Sequence, residues 1–102
     1  MRKYILITYN KTKKFIDSLD KVKKARVDRI YYLFEEYGFN LPDKYLRKLA
    51  SNIWELKPGE VRLFLTIKGN KGFIVHAIHK KTQKTPKKDL DLAIKRIKEE
   101  VK

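Results

Sequence analysis

The chain has 102 residues and a net charge of +14, from 26 Lys and Arg against 12 Asp and Glu. That length supports one domain around a single modest core, residues 1–102, and 42% apolar content is too high for a disordered segment. Cysteine is absent, which excludes a disulfide framework and a thiolate metal site, and no run approaches the ~20 apolar residues of a membrane span. The apolar run "YILI" near the start is too short for the apolar region of a signal peptide, so a cytoplasmic protein is expected. The charge excess calls for a polyanionic partner, nucleic acid ahead of an acidic protein.

In chain order, "RKYILITY" (2–9) is β-branched and aromatic and predicts a short strand. Asn10 is the expected N-cap of a first helix over 11–20, where Phe15, Ile16 and Leu19 recur at helical spacing. Asp20 is the expected N-cap of a second helix. Its apolar face is Val27, Ile30, Tyr31 and Phe34, and Gly38 stands where a left-handed cap belongs. The segment "FNLPDKYLRKLASN" (39–52) is broken by Pro42 and predicts a helical turn leading into a strand.

From Ile53 the apolar period changes to two. "IWELK" (53–57), "VRLFLTIK" (61–68) and "FIVHAIHK" (73–80) predict an antiparallel meander joined by "PGE" and "GNKG". In the middle strand Val61, Leu63, Leu65 and Ile67 form an aliphatic side for the helices, which leaves Arg62 and Phe64 on the other side. Thr85 is the expected N-cap and Pro86 the first residue of a last helix, with Asp89 in its first turn and Leu90, Ala93, Ile94, Ile97 and Val101 as its buried stripe. The expected fold is α+β in the order β-α-α-β-β-β-α, a mainly antiparallel sheet with helices packed on one face.

Charge is unevenly placed within this frame. Between Glu60 and Asp89 there is no acidic residue, while Arg62, Lys68, Lys71, Lys80, Lys81, Lys84, Lys87 and Lys88 all fall there. A merely solvated surface mixes signs, so this window predicts phosphate contact. His76 and His79 lie three apart on one strand and point to opposite faces, so they do not chelate a metal together, and no metal is expected. Gly-rich phosphate loops and nucleophile elbows are also missing.

Cleavage of an RNA phosphodiester by its own 2′-hydroxyl needs no cofactor. It needs a cation to hold the phosphate and groups that move two protons. The candidate catalytic residues are Arg62, Lys81, Lys84, Glu55 and His79. The candidate RNA contacts are Lys57, Lys68, Lys80, Thr85, Lys87 and Lys88, with Phe64 as a stacking platform. Each has a structural alternative. Arg62 can pair with Glu55 across the strands, the lysines can be solvated charge, and Trp54 and His76 fit a core.

"IWELKPGEVRLFLTI", an apolar strand ending "HAIHKKTQKTP" and an amphipathic helix together resemble the phage-derived Gp49-like, HigB-type branch of the RelE/ParE toxin superfamily. The resemblance spans nearly the whole chain. It implies a RelE-like fold and a toxin that cleaves messenger RNA, typically on the ribosome and without metal. It also implies a helix-turn-helix (HigA-like) antitoxin partner. By motif it points to Arg62 in "VRLF", to Lys80, Lys81 and Lys84 in "KKTQKTP", and to Glu55 in "WEL" as a group that orients Arg62. The family histidine matches His76, and Lys57 stands where relatives often carry arginine. Two other functions fit the same features: a non-catalytic RNA- or ribosome-binding module, and a gyrase-poisoning member of the superfamily.

Overall fold

A computed structural model describes residues 2–80 and 84–101. The elements are β1 (Ile5–Thr8), α1 (Asn10–Asp17), α2 (Lys21–Tyr37), a 3₁₀ turn (Gly38–Asn40), β2 (Leu46–Ala50), β3 (Ile53–Leu56), β4 (Val61–Lys68), β5 (Lys71–His79) and α3 (Lys87–Glu100). The strands form one sheet in the order β1-β5-β4-β3-β2, antiparallel except where β1 runs beside β5. The fold is α+β and mainly antiparallel, in the expected order, with β2 as one further strand at the edge.

Local chemistry explains the boundaries. The Asp20 carboxylate accepts the Lys23 N–H at 3.0 Å and starts α2. Gly38 ends α2 at φ +55°, and a Cβ there would meet the Tyr4 ring at 2.7 Å, so only glycine fits this stop. Gly69 takes φ +64° in the two-residue loop between β4 and β5. Asn52, at φ +52°, closes the β2–β3 hairpin and ties it to β4 through hydrogen bonds with both the N–H and the carbonyl of Ile67.

The aliphatic side of β4 packs as expected. Val61, Leu63 and Leu65 are fully buried with Leu56 and Ile74 against Val27, Ile30 and Phe34 of α2 and Ile16 of α1. Each such side chain contributes roughly 1.5–3 kcal/mol of burial. The helices do not all lie on that face, however. Phe64, Val75 and Ala93 form a second, smaller cluster in which α3 covers the opposite side of β4 and β5. The stripe of α3 needs an apolar floor, and Phe64 with Phe73, Val75 and Ile78 supplies it.

A register shift makes that floor possible. Phe64 pairs with His76 while Leu65 pairs with Ile74, so Val75 is an extra residue in β5. The bulge puts Val75 and His76 on the α3 side, whereas simple alternation would put His76 on the same face as Ile74. His76 then bridges strand and helix. Its Nδ1 accepts from Arg96 at 3.2 Å, so its Nε2 carries the proton and donates to Asp89 at 2.8 Å. Among the described residues, no helix is long and apolar enough to cross a membrane.

Candidate functional site

β2, β3 and β4 present one row of residues on the α3 side of the sheet. Arg47 pairs with Glu55, and Glu55 pairs with Phe64. Phe64 is covered by α3, but α3 begins only at Lys87, so the β2 end of the row is left to side chains. Glu55 is 3% exposed, a buried carboxylate that must be matched by donors. The Thr85 hydroxyl donates to it at 2.9 Å, and the guanidiniums of Arg47 and Arg62 pair with it as charges, through Nη2 at 3.3 Å and Nε at 3.9 Å. Arg47 Nη2 also donates to Thr85 Oγ1 at 3.2 Å, which closes the cluster.

The two guanidiniums differ in what they can do. Arg62 is pinned, because Nη1 donates to the carbonyls of Gly59 and Val61 at 2.6 and 2.9 Å, and its side chain is 11% exposed. Gly59 permits this turn with φ +63°. Burial pulls the Arg62 guanidinium below its ordinary pKa, Glu55 opposes that pull, and Arg47 adds to it. Arginine remains charged under such a shift. Arg47, with its side chain 46% exposed, faces solvent beside it. A fixed inner cation next to an accessible outer one is a suitable cradle for an oxyanion.

The sequence candidates sort clearly against this geometry. Arg62, Glu55 and Thr85 meet directly. Thr85 does not cap α3, whose N-cap is Pro86; its hydroxyl is spent on Glu55 instead. Lys84 is exposed next to Thr85, and Lys87 and Lys88 are exposed at the opening of α3. Lys80 leaves β5 with its N–H on the Glu60 carbonyl, and Lys57 continues β3 with its N–H on the Tyr45 carbonyl at 2.9 Å. Lys81 lies outside the described residues.

Three candidates are placed elsewhere. Phe64 is fully buried beneath α3 and offers no face to a base. His79 pairs with Val61 and turns to the α1 side, where its ring meets Phe15 at 5.1 Å, so it does not share the Arg62 face. Lys68 lies six residues along β4 from Arg62, roughly 20 Å away. Conversely, Arg47 was not among the candidates. A hairpin turning at Ser51–Asn52 would have set it opposite Glu55, and that is the signal that finds it. Among the described residues, no three His, Cys, Asp or Glu side chains gather as a metal ligand set.

Comparison with known proteins adds the family. The family model described as phage derived protein Gp49-like (DUF891) matches residues 14–98. No curated protein matches the chain. In shape it is similar to a chain of the crystal structure of the archaeal RelE–RelB complex from Pyrococcus horikoshii OT3. The TM-score is 0.63 at 14% identity, covering 76% of this chain and 94% of that one. At that identity the likeness carries the fold. With the match covering half of α1, all of α2 and β2 to β5, and most of α3, the chain belongs to the phage-derived Gp49-like family and has a RelE-like fold.

Proposed function

We propose that this protein is the toxin of a type II toxin–antitoxin pair, of the HigB type, and that it cleaves messenger RNA on the ribosome without a metal. The observation that carries the proposal is the Arg47–Glu55–Arg62–Thr85 cluster, two guanidiniums paired with one buried carboxylate, with Arg62 and Thr85 drawn from the acid-free basic window. The RelE-like fold and the family agree with it.

In this scheme the RNA 2′-hydroxyl attacks its own phosphorus, the bond to the 5′-oxygen breaks, and a 2′,3′-cyclic phosphate and a 5′-hydroxyl result. Charge accumulates on the non-bridging oxygens. Arg47 meets it from solvent and Arg62 from the floor. Glu55 is a positioning residue, since its oxygens are occupied by Arg47, Arg62 and Thr85. Proton transfer falls to Lys84 and Lys81, which follow β5 in the sequence. Lys57, Lys80, Lys87 and Lys88 draw the backbone in. The antitoxin partner is a helix-turn-helix, HigA-like protein, and the site of action is the cytoplasm.

The enclosure of Glu55 favours one alternative, a non-catalytic RNA- or ribosome-binding module on the same surface. Induced expression in a bacterial host separates the two. The proposed activity predicts growth arrest with shortened transcripts, relieved by Arg62→Ala. Folded wild-type protein with normal growth and intact transcripts would overturn it, and DNA breaks in place of cut transcripts would indicate gyrase poisoning.

A further inference from the structure

We propose that the cleft between α1 and the start of α3 is a nucleobase subsite for single-stranded RNA, with the His79 ring as its stacking platform; this rests on the RNA-cleaving function above. The cleft has a volume of about 450 Å³, with walls from Phe15, Ala77, His79, Pro86 and Lys88. Ligand pockets run from about 300 to 1,000 Å³, so a single base fits.

The geometry of the cleft follows from the sheet. β1 ends at Thr8, opposite Ile74, so among the described residues no strand pairs with the outer edge of β5 beyond that point. The Lys80 N–H bonds the Glu60 carbonyl at the end of the β4–β5 ladder, and by alternation the main-chain groups of Ala77 and His79 point away from β4, toward the edge where these two residues line the cleft. The exposed His79 ring is braced by Phe15 at 5.1 Å and 62°, which fixes its plane without covering it. The Asp89 carboxylate at the rim is bonded to His76 Nε2. Lys88 sets a cation beside it. Aromatic and apolar walls beside cations suit a base with its phosphate, since every base has a face to stack.

Continuity with the phosphate cluster favours RNA over an unrelated ligand. Pro86, in the wall, follows Thr85, which bonds Glu55. His79 pairs with Val61, the neighbour of Arg62. A strand whose phosphate lies over Arg47 and Arg62 can pass the end of β5 and seat a neighbouring base against His79.

The test uses fluorescence anisotropy with a short 2′-O-methyl RNA, which resists cleavage, and with the same backbone lacking bases. Stacking of one base predicts that His79→Ala weakens binding of the full oligonucleotide roughly tenfold or more, leaves the abasic backbone unaffected, and keeps the salt slope of wild type. His79→Trp should restore affinity. If His79→Ala binds like wild type, or loses both oligonucleotides equally, the subsite is overturned while the RNA function stands. If wild-type protein binds neither oligonucleotide, the subsite is overturned, while the RNA function is decided separately by cleavage of a message on the ribosome. Unchanged circular dichroism of His79→Ala, expected for an exposed residue, keeps the comparison valid.

Discussion

Glu55 holds the site together because a carboxylate that is 3% exposed must keep its partners, and those partners include the two guanidiniums proposed to meet the RNA phosphate. Removing it by Glu55→Ala leaves Arg62 beside Arg47 with no anion between them. Stability should fall by about 3 kcal/mol, read as a lower urea midpoint. Glu55→Gln keeps the shape but frees both guanidiniums from the charge. Ground-state RNA binding should tighten while cleavage slows, a joint drop in KM and kcat. If Glu55→Gln leaves both constants unchanged, the positioning role is wrong. A second, half-buried group, Tyr31, acts on stability alone. Burial pushes the Tyr31 hydroxyl up to about 12, against a smaller opposite effect of its 2.7 Å hydrogen bond with Thr8. Because the folded value exceeds the unfolded value of 10.0, the stabilising effect is complete below pH 10 and is lost as pH rises toward 12. Wild type should therefore lose up to about 2.7 kcal/mol more than Tyr31→Phe over that interval, for two units at the usual conversion. Urea midpoints of both proteins at several alkaline pH values check it.

At the scale of elements, α3 is held by the smaller of the two cores, and it fixes one wall of the site because Thr85 and Pro86 lead into it. Phe64→Ala should cost about 3–5 kcal/mol. Amide exchange should quicken in α3 before it quickens in α2, and equal protection of both helices would contradict the division into two cores. The same element explains what sequence could and could not reveal. Alternation along β4 was plain, so the α1–α2 face and the side occupied by Arg62 were legible from Val61, Leu63 and Leu65 alone. β2 was obscured because Leu46 and Leu49 are three apart, a helical spacing. In the strand that spacing puts Leu46 in one core and Leu49 in the other, and only a sheet covered on both faces accepts it. Without β2, Arg47 had no place opposite Glu55. Phe64 read as an exposed aromatic for the same reason: nothing local says that α3 returns over it. The β5 bulge at Val75 is invisible to a period-two reading, and it is what puts His76 under α3.

For the whole molecule, a charge of +14 makes association with a polyanion strongly salt-dependent. On a single strand the slope of log K against log salt is about −0.7 per phosphate contact. Arg47→Ala should therefore lower the magnitude of the slope by roughly 0.7, whereas the same change at remote Lys68 should leave it nearly unchanged. The claim beneath all of this is that Arg62 and its partners form a cleaving site rather than a basic surface. The direct measurement is to incubate purified protein with ribosomes carrying a defined message and to analyse the fragment ends. Wild-type protein should release fragments ending in 2′,3′-cyclic phosphate, and folded Arg62→Ala should release none. A message that stays intact while wild-type protein binds it with steep salt dependence would contradict the account and leave only a binding surface.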